Sequence, residues 1–512
     1  MHPKHSANGR GGIAYRLMHG VSAGVIATML GIAGNLLLLP LYLRHWSVTV
    51  YGEWMALYSV VNYLGALDFG LTTAATNAAA HSYAAQNWSE FKRIHGTAWT
   101  LSIGIAVLGG LISSAIVTCF SIHSWLGIKV MSPHDSHLVF AGLSLTFLIG
   151  IPSRQLGSTF IAMREFAKYQ WIYNAGQMLT LLATGIALLL GIKPVGLSFV
   201  IAIAAFVMLG ATYALIRHRD RNLLPRLRDA SWGAAKSLAR PSGQFLLQMF
   251  ANTIALQGPV IIISRVFGGQ GVALFTTTRT VSNVVRGILT VFRAPLRPEY
   301  AAAYAEPTKD KLRSLFRTVM AIDTAIAATL MAGIWTGGPW LIRVWSHGQI
   351  APDSLLLHLL LAVSLLEGFL WMLASAGNAA NRFHGVSIGF LAYAVVSLLS
   401  AIFLVRYWGI SAIPISAVLS LLVFMLPVTI RNAHYEIDLP LHTIITKICI
   451  PFAVIATLSV LISAGVTSLR GVPEWMATCL SVLTACAVSI TAATLTMLAS
   501  ADRKMLVNRI AR

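Results

Sequence analysis

The sequence predicts an all-α, polytopic membrane protein of about fourteen transmembrane helices. Three observations lead there. Of 512 residues, 56% are hydrophobic and only 11% charged, with a mean hydropathy of +0.73, which is far more apolar surface than a water-soluble core buries. The apolar residues come in runs long enough to span a bilayer. Lys and Arg, which give the chain a formal charge of +20, fall mainly on alternate connections between those runs.

The first apolar run starts near His19, behind a basic head containing Lys4, Arg10 and Arg16. It continues past the length of a signal-peptide core and reads as a retained first helix. A spanning helix needs about 20 apolar residues, because the hydrocarbon core is roughly 30 Å thick and each residue rises about 1.5 Å. On that measure six helices are expected at 19–43, 52–76, 97–120, 138–163, 169–191 and 194–216. Six more follow at 242–265, 272–297, 316–338, 354–376, 384–405 and 409–430, and a final pair at 444–468 and 475–499. The expected organisation is an N-terminal lobe (1–216), a basic cytoplasmic linker (217–241), a C-terminal lobe (242–430), two further helices (444–499) and a cytoplasmic tail (500–512).

With both termini inward, the cytoplasmic segments hold 25 of the 37 basic residues. Seven mark the outer connections: Arg44, Lys129, Lys193, Arg265, Arg343, Arg406 and Arg470. This asymmetry is the positive-inside pattern of a plasma, or bacterial inner, membrane protein. The charge therefore reads as an orientation signal and implies no nucleic-acid partner. Trp46, Tyr51 and Trp54, and again Trp335, Trp340 and Trp345, suit an aromatic belt at the outer rim. The two six-helix blocks also share a weak repeat. Arg44, Ser59, Val60 and Asn62 correspond to Arg265, Thr280, Val281 and Asn283 at a constant offset of 221 residues, an internal symmetry common in transporters.

Nothing in the chain suggests catalysis. It has no Walker-type phosphate loop, no G-x-G-x-x-G after a strand and no H-E-x-x-H or C-x-x-C. Cys119, Cys449, Cys479 and Cys486 all sit in apolar runs, without disulfide or metal-ligand spacing. No metal or cofactor is expected. Five basic residues remain within the membrane once those of the connections and their rims are counted: Arg154, Arg279, Arg286, Arg293 and Arg297. At 100° per residue, Arg279, Arg286 and Arg293 fall within about 40° of one another and form a ladder at least roughly 20 Å long. Pro295 and Pro298 interrupt the step to Arg297.

A charge at mid-bilayer costs at least about 2.5 kcal/mol, so aligned arginines should face a polar, wet cavity. Their forked donors match phosphate or carboxylate oxygens. The alternative is that they pair with acids of neighbouring helices. Asp68, Asp323 and Glu367 are the main candidate acids, and three acids against five bases favour an anion-attracting cavity. Arg154, Arg279, Arg286 and Arg293 are therefore the expected substrate-binding residues. Asp68 suits an ion or proton site, a salt bridge between lobes or a helix cap, and its place near an inner helix end favours a structural role. Asp323 and Glu367 suit either ion coupling or arginine pairing.

The first helix ends Pro40-Leu41-Tyr42-Leu43, followed by Tyr51-Gly52-Glu53-Trp54 and Leu67-Asp68-Phe69-Gly70-Leu71, with a weaker echo at Ala374-Ser375-Ala376-Gly377-Asn378. In these stretches and in helix count, nearly the whole chain resembles the polysaccharide-export branch of the multidrug, oligosaccharidyl-lipid and polysaccharide flippase superfamily. The resemblance implies two six-helix lobes around a central cavity and a polyprenyl-pyrophosphate-linked oligosaccharide flipped from the cytoplasmic to the periplasmic leaflet. That substrate would be an O-antigen, capsule or exopolysaccharide unit. It further implies drive by an H+ or Na+ gradient, with a polysaccharide polymerase and a chain-length regulator as partners. The two last helices depart from the twelve-helix members and are shared with the lipid II flippases. A lipid II flippase, a multidrug antiporter of the same fold and a membrane glycosyltransferase or polymerase are the competing readings. Short outer loops count against the last.

Overall fold

A computed structural model describes residues 10–498, except 69, 294–295, 305, 307, 380–381, 383 and 469–472. The described residues are helical almost throughout and contain no strand. The helices are α1 (Arg10–His45), α2 (Val48–Gly65), α3 (Leu71–Ala84), α4 (Trp88–Cys119), α5 (Ile122–Leu126), α6 (Pro133–Ala162), α7 (Phe166–Leu189), α8 (Pro194–Arg219), α9 (Trp232–Arg293) and α10 (Leu296–Tyr304). They continue as α11 (Asp310–Trp345), α12 (Ser354–Leu373), α13 (Ser375–Ala379), α14 (His384–Trp408), α15 (Ala412–Ser420), α16 (Leu426–Ile437), α17 (Leu441–Ile444), α18 (Ile450–Thr467) and α19 (Glu474–Thr496).

Eleven described stretches are long and apolar enough to cross a membrane. Two of them, Leu246–Arg293 and His384–Ile437, have 48 and 54 residues, more than twice the length one crossing needs. Each breaks at a glycine of positive φ, Gly268 (+67°) and Gly409 (+58°), a conformation open to Gly because it lacks Cβ. Each thus supplies two crossings. The α2–α3 pair supplies one more, so the described helices account for fourteen.

Local sequence sets the helix ends. Ser47, Asn87, Ser132 and Asp353 cap α2, α4, α6 and α12 by accepting from the N–H three residues on, and Pro133 and Pro194 open α6 and α8 where a missing N–H is harmless. The second expected helix, 52–76, is not continuous. After α2 the chain makes a 3-10 turn at Ala66–Asp68, passes through Gly70 at φ +72° and restarts at Leu71. The L-D-x-G-L stretch builds this break: the Thr72 hydroxyl donates to Asp68 Oδ1 (2.8 Å), and Leu71 enters the core with Ala74, Ala75 and Leu156.

The helices form two compact units, Met1–Ala273 and Leu274–Arg512. The division runs through α9, so the basic stretch 217–241 belongs to the first unit. There it lies against α4: Leu223 is buried with Phe91 and Ile94, and the Ser231 N–H donates to Thr97 Oγ1 (3.0 Å). Gly96 makes room for this approach, since a Cβ there would lie 2.8 Å from the Arg226 carbonyl. Elsewhere in the unit α1 packs on α7, where Asn174 donates to the Ala23 carbonyl (2.9 Å), and α6 packs on α4 and α8.

The second unit is centred on α11, which packs against α12, α18 and α19. Small residues allow the close approach usual between helices in lipid. Ser481, Ser489, Ala485 and Ala493 of α19 are buried, Ser489 and Ser463 donate to the carbonyls of Ala325 and Ala332, and Gly337 faces Thr478. The final helix pair is thus an integral part of this unit.

Candidate functional site

The arginine ladder lies on a single helix. α9 runs without a break from Gly269 to Arg293, so Arg279, Arg286 and Arg293 share one face and rise about 10.5 Å at each step. The same face carries Asn283 and Thr290, giving a polar stripe on a membrane-spanning segment. The side chain of Arg297, in α10, lies outside the described residues.

The three arginines have different surroundings. Arg293 is held side-on by Asp323 of α11: Nε donates to Oδ1 (2.7 Å) and Nη2 to Oδ2 (2.6 Å). Side-chain exposure of this pair is 19% and 4%. Arg286 makes one bond, from Nη1 to Oε2 of Glu367 on α12 (3.1 Å), and remains 33% exposed against 9% for the carboxylate. Arg279 lies over the Phe275 ring, 5.2 Å from its centroid, a favourable cation–π placement.

Asp323 and Glu367 are therefore arginine partners in this structure. Removing a carboxylate from such a buried pair strands a charge, which makes both acids structurally significant whatever else they do. Tyr393 of α14 is buried and close enough to Glu367 and Arg286 to interact electrostatically with both.

Arg154 and Asp68 belong to the first unit. Arg154 of α6 donates through Nη2 to the Gly65 carbonyl (3.4 Å), just before the α2 break, and Asp68 meets Thr72 within it. Tyr169 of α7 lies within electrostatic reach of both. The structure thus brings Arg154 and Asp68 to one broken helix end, and Arg279, Arg286, Arg293, Asp323 and Glu367 to one helix face of the other unit.

Two polar residues escaped the sequence reading. Glu53, in Y-G-E-W, is 1% exposed and accepts three backbone N–H bonds, from Lys129 and Val130 to Oε1 (2.7 and 2.8 Å) and from Met131 to Oε2 (2.8 Å). It clasps the connection between α5 and α6. Gly52 beside it meets the backbone of Gly269 so closely that an added Cβ would lie 1.7 Å from the Gly269 carbonyl oxygen. The motif is therefore legible as packing: glycine for approach, glutamate for the clasp. His95 is the second, buried in α4 with its Nε2 2.8 Å from the Thr159 hydroxyl. Its helix begins at Trp88, nine residues before the expected start at 97, so its burial was not evident. Among the described residues no group of His, Cys, Asp and Glu could hold a metal ion, and the four cysteines are free.

No protein-family model matches the chain, and no curated protein matches it by sequence. Solved structures do match. An inward-facing multidrug resistance MATE family transporter of the MOP superfamily aligns with a TM-score of 0.66 at 18% identity, over 81% of this chain and 97% of that one. An outward-facing MATE transporter of the same superfamily aligns with a TM-score of 0.58 at 17% identity, over 83% and 95%. A MOP superfamily transporter from Pyrococcus furiosus, described by the reverse polarity of its binding pocket, aligns with a TM-score of 0.56 at 16% identity, over 83% and 96%. The chain is a multi-pass, all-α membrane protein with the fold of the MATE transporters of the MOP superfamily.

Proposed function

We propose that this protein is a transporter that flips an anionic lipid-linked oligosaccharide, a polyprenyl-pyrophosphate carrying a polysaccharide repeat unit, from the cytoplasmic to the periplasmic leaflet by alternating access. The observation that carries the reading is the ladder of Arg279, Arg286 and Arg293 on one face of a membrane-spanning helix, with Arg286 a third exposed. A guanidinium exposed to hydrocarbon at that depth would be costly, so this face opens on water. It presents fixed positive charge and forked donors suited to a pyrophosphate or an acidic sugar. Asn283 and Thr290 between the arginines offer hydrogen bonds to sugar hydroxyls. Arg154 is proposed as a further contact, Asp68, Asp323 and Glu367 as candidates for H+ or Na+ coupling, and the bacterial inner membrane, with both termini cytoplasmic, as the location.

The fold itself favours a second reading, multidrug export, because the structural neighbours are described as multidrug resistance transporters. The Pyrococcus furiosus protein, in which the reverse polarity of the binding pocket suggests a different function, supports substrates of the other charge sign on this fold. The test is reconstitution into liposomes with a fluorescent polyprenyl-pyrophosphate oligosaccharide, following quenching of the outward-facing label, beside uptake of a cationic dye. Flipping of the glycolipid that is lost in Arg279→Ala, Arg286→Ala and Arg293→Ala at matched protein level supports the proposal. Dye transport without glycolipid flipping overturns it.

A further inference from the structure

The two ion pairs on the ladder differ in a way that assigns them different work, given that the ladder receives an anionic substrate as proposed above. Arg293 and Asp323 are engaged through two short bonds and are nearly buried. Their geometry is the side-on guanidinium–carboxylate fork, which occupies two donors of a side chain 19% exposed, against one donor and 33% for Arg286. Arg286 uses one of its five N–H donors on Glu367, at 3.1 Å, and a third of the side chain is exposed. Its remaining donors make no bond with any described residue. Glu367 occupies one corner of a cation whose other edge faces outward.

We infer that Glu367 is a tethered counter-anion, which holds Arg286 in place when the site is empty and competes with the anionic group of the substrate for it, whereas Arg293–Asp323 is the more firmly held pair of the two. Arg286 then has an anionic partner in both conditions: the Glu367 carboxylate, or the oxygens of the ligand. This avoids a bare guanidinium inside the membrane during each cycle. It also makes Glu367 a determinant of specificity, since a weak or neutral ligand gains nothing by displacing it while a doubly charged phosphate group does. On elements packed against α12, Asp323 is engaged by Arg293 and Glu436 of α16 by the Tyr304 hydroxyl (2.8 Å). Arg431 of α16 lies over the Tyr435 ring. Arg286 is thus the cation that Glu367 answers to.

The experiment measures binding of geranylgeranyl diphosphate, and of the uncharged alcohol geranylgeraniol, to purified full-length protein in nanodiscs. Glu367→Gln keeps the shape and removes the competing charge. It is expected to tighten diphosphate binding about three- to tenfold, the size of one partly exposed ion-pair interaction, and to leave the alcohol unchanged. Glu367→Asp, which withdraws the carboxylate by one methylene, is expected to lie between, and serves if the Gln variant does not fold. Arg286→Ala is expected to weaken diphosphate binding at least tenfold. Unchanged or weaker diphosphate binding in Glu367→Gln and Glu367→Asp, with Arg286→Ala still impaired, overturns the competitor role while leaving the transport reading intact. Diphosphate binding indifferent to Arg279→Ala, Arg286→Ala and Arg293→Ala overturns the transport reading and the inference with it.

Discussion

Replacing Glu53 by Gln tests whether a single buried carboxylate organises the connection between α5 and α6 in the first unit. The carboxylate oxygens accept three backbone N–H bonds at 2.7–2.8 Å in a site 1% exposed. Gln can place its carbonyl oxygen where Oε1 sits and keep the bonds from Lys129 and Val130. Its amide nitrogen must then face the Met131 N–H, so one bond is lost and two donors oppose each other. A hydrogen bond to a charged group is worth about 1.5–3 kcal/mol, and a stranded buried donor costs about 1–3 kcal/mol. The expected loss is therefore about 2–4 kcal/mol. For a unit of some 270 residues, each kcal/mol moves Tm by roughly 2–4 °C, so Tm should fall by roughly 4–16 °C when followed by tryptophan fluorescence in detergent. Glu53→Ala, which removes all three bonds, should fall further. A Glu53→Gln variant within 1 °C or so of the wild type would refute the clasp, because it would mean that water reaches those amides and takes the place of the carboxylate.

Three further outcomes follow from the same geometry. Gly52→Ala should fold poorly or not at all, since its Cβ would lie 1.7 Å from the Gly269 carbonyl oxygen; yield of monodisperse protein on size exclusion is the measure. Asp323→Ala should destabilise by about 3–5 kcal/mol because it strands Arg293, and Asp323→Ala with Arg293→Met should recover much of that loss; the pair of Tm values against wild type decides it. Gly268→Ala should cost about 1–3 kcal/mol from backbone strain alone, given φ +67° and ψ −167°, with space for the methyl group itself.

The membrane spans were legible in the sequence because lipid imposes one dominant requirement, about 20 apolar residues per crossing. The angular position of the arginines was legible for the same kind of reason: 100° per residue holds along any continuous helix, and α9 is continuous from Gly269 to Arg293. The break at Ala66–Gly70 was hidden. Averaged hydropathy does not register a turn whose one acid is answered by a Thr four residues on, so Asp68 looked like a helix end. Glu53 was hidden for a related reason: its partners are main-chain amides 76–78 residues away, and a backbone donor leaves no mark in a sequence.

The pairing of charges shows where sequence reasoning about the ladder stops. Counting bases against acids inside the spans names Arg286, Arg293, Asp323 and Glu367 among its residues, but a count treats every acid as neutralising one base to the same degree. The structure distributes them unequally: Asp323, 30 residues from Arg293, makes a closed two-bond fork, and Glu367, 81 residues from Arg286, touches it at one corner. That inequality depends on where α11 and α12 pass α9, which is a property of packing between segments far apart in the chain. It also alters what the charge count means. Formal neutrality of Arg286 with Glu367 does not remove its capacity to bind an anion, because four N–H donors of a partly exposed guanidinium make no bond with any described residue. An arginine with a weak internal partner is more useful to a transporter than one with none, since it stays ordered and compensated when empty and still has donors to offer when the ligand arrives.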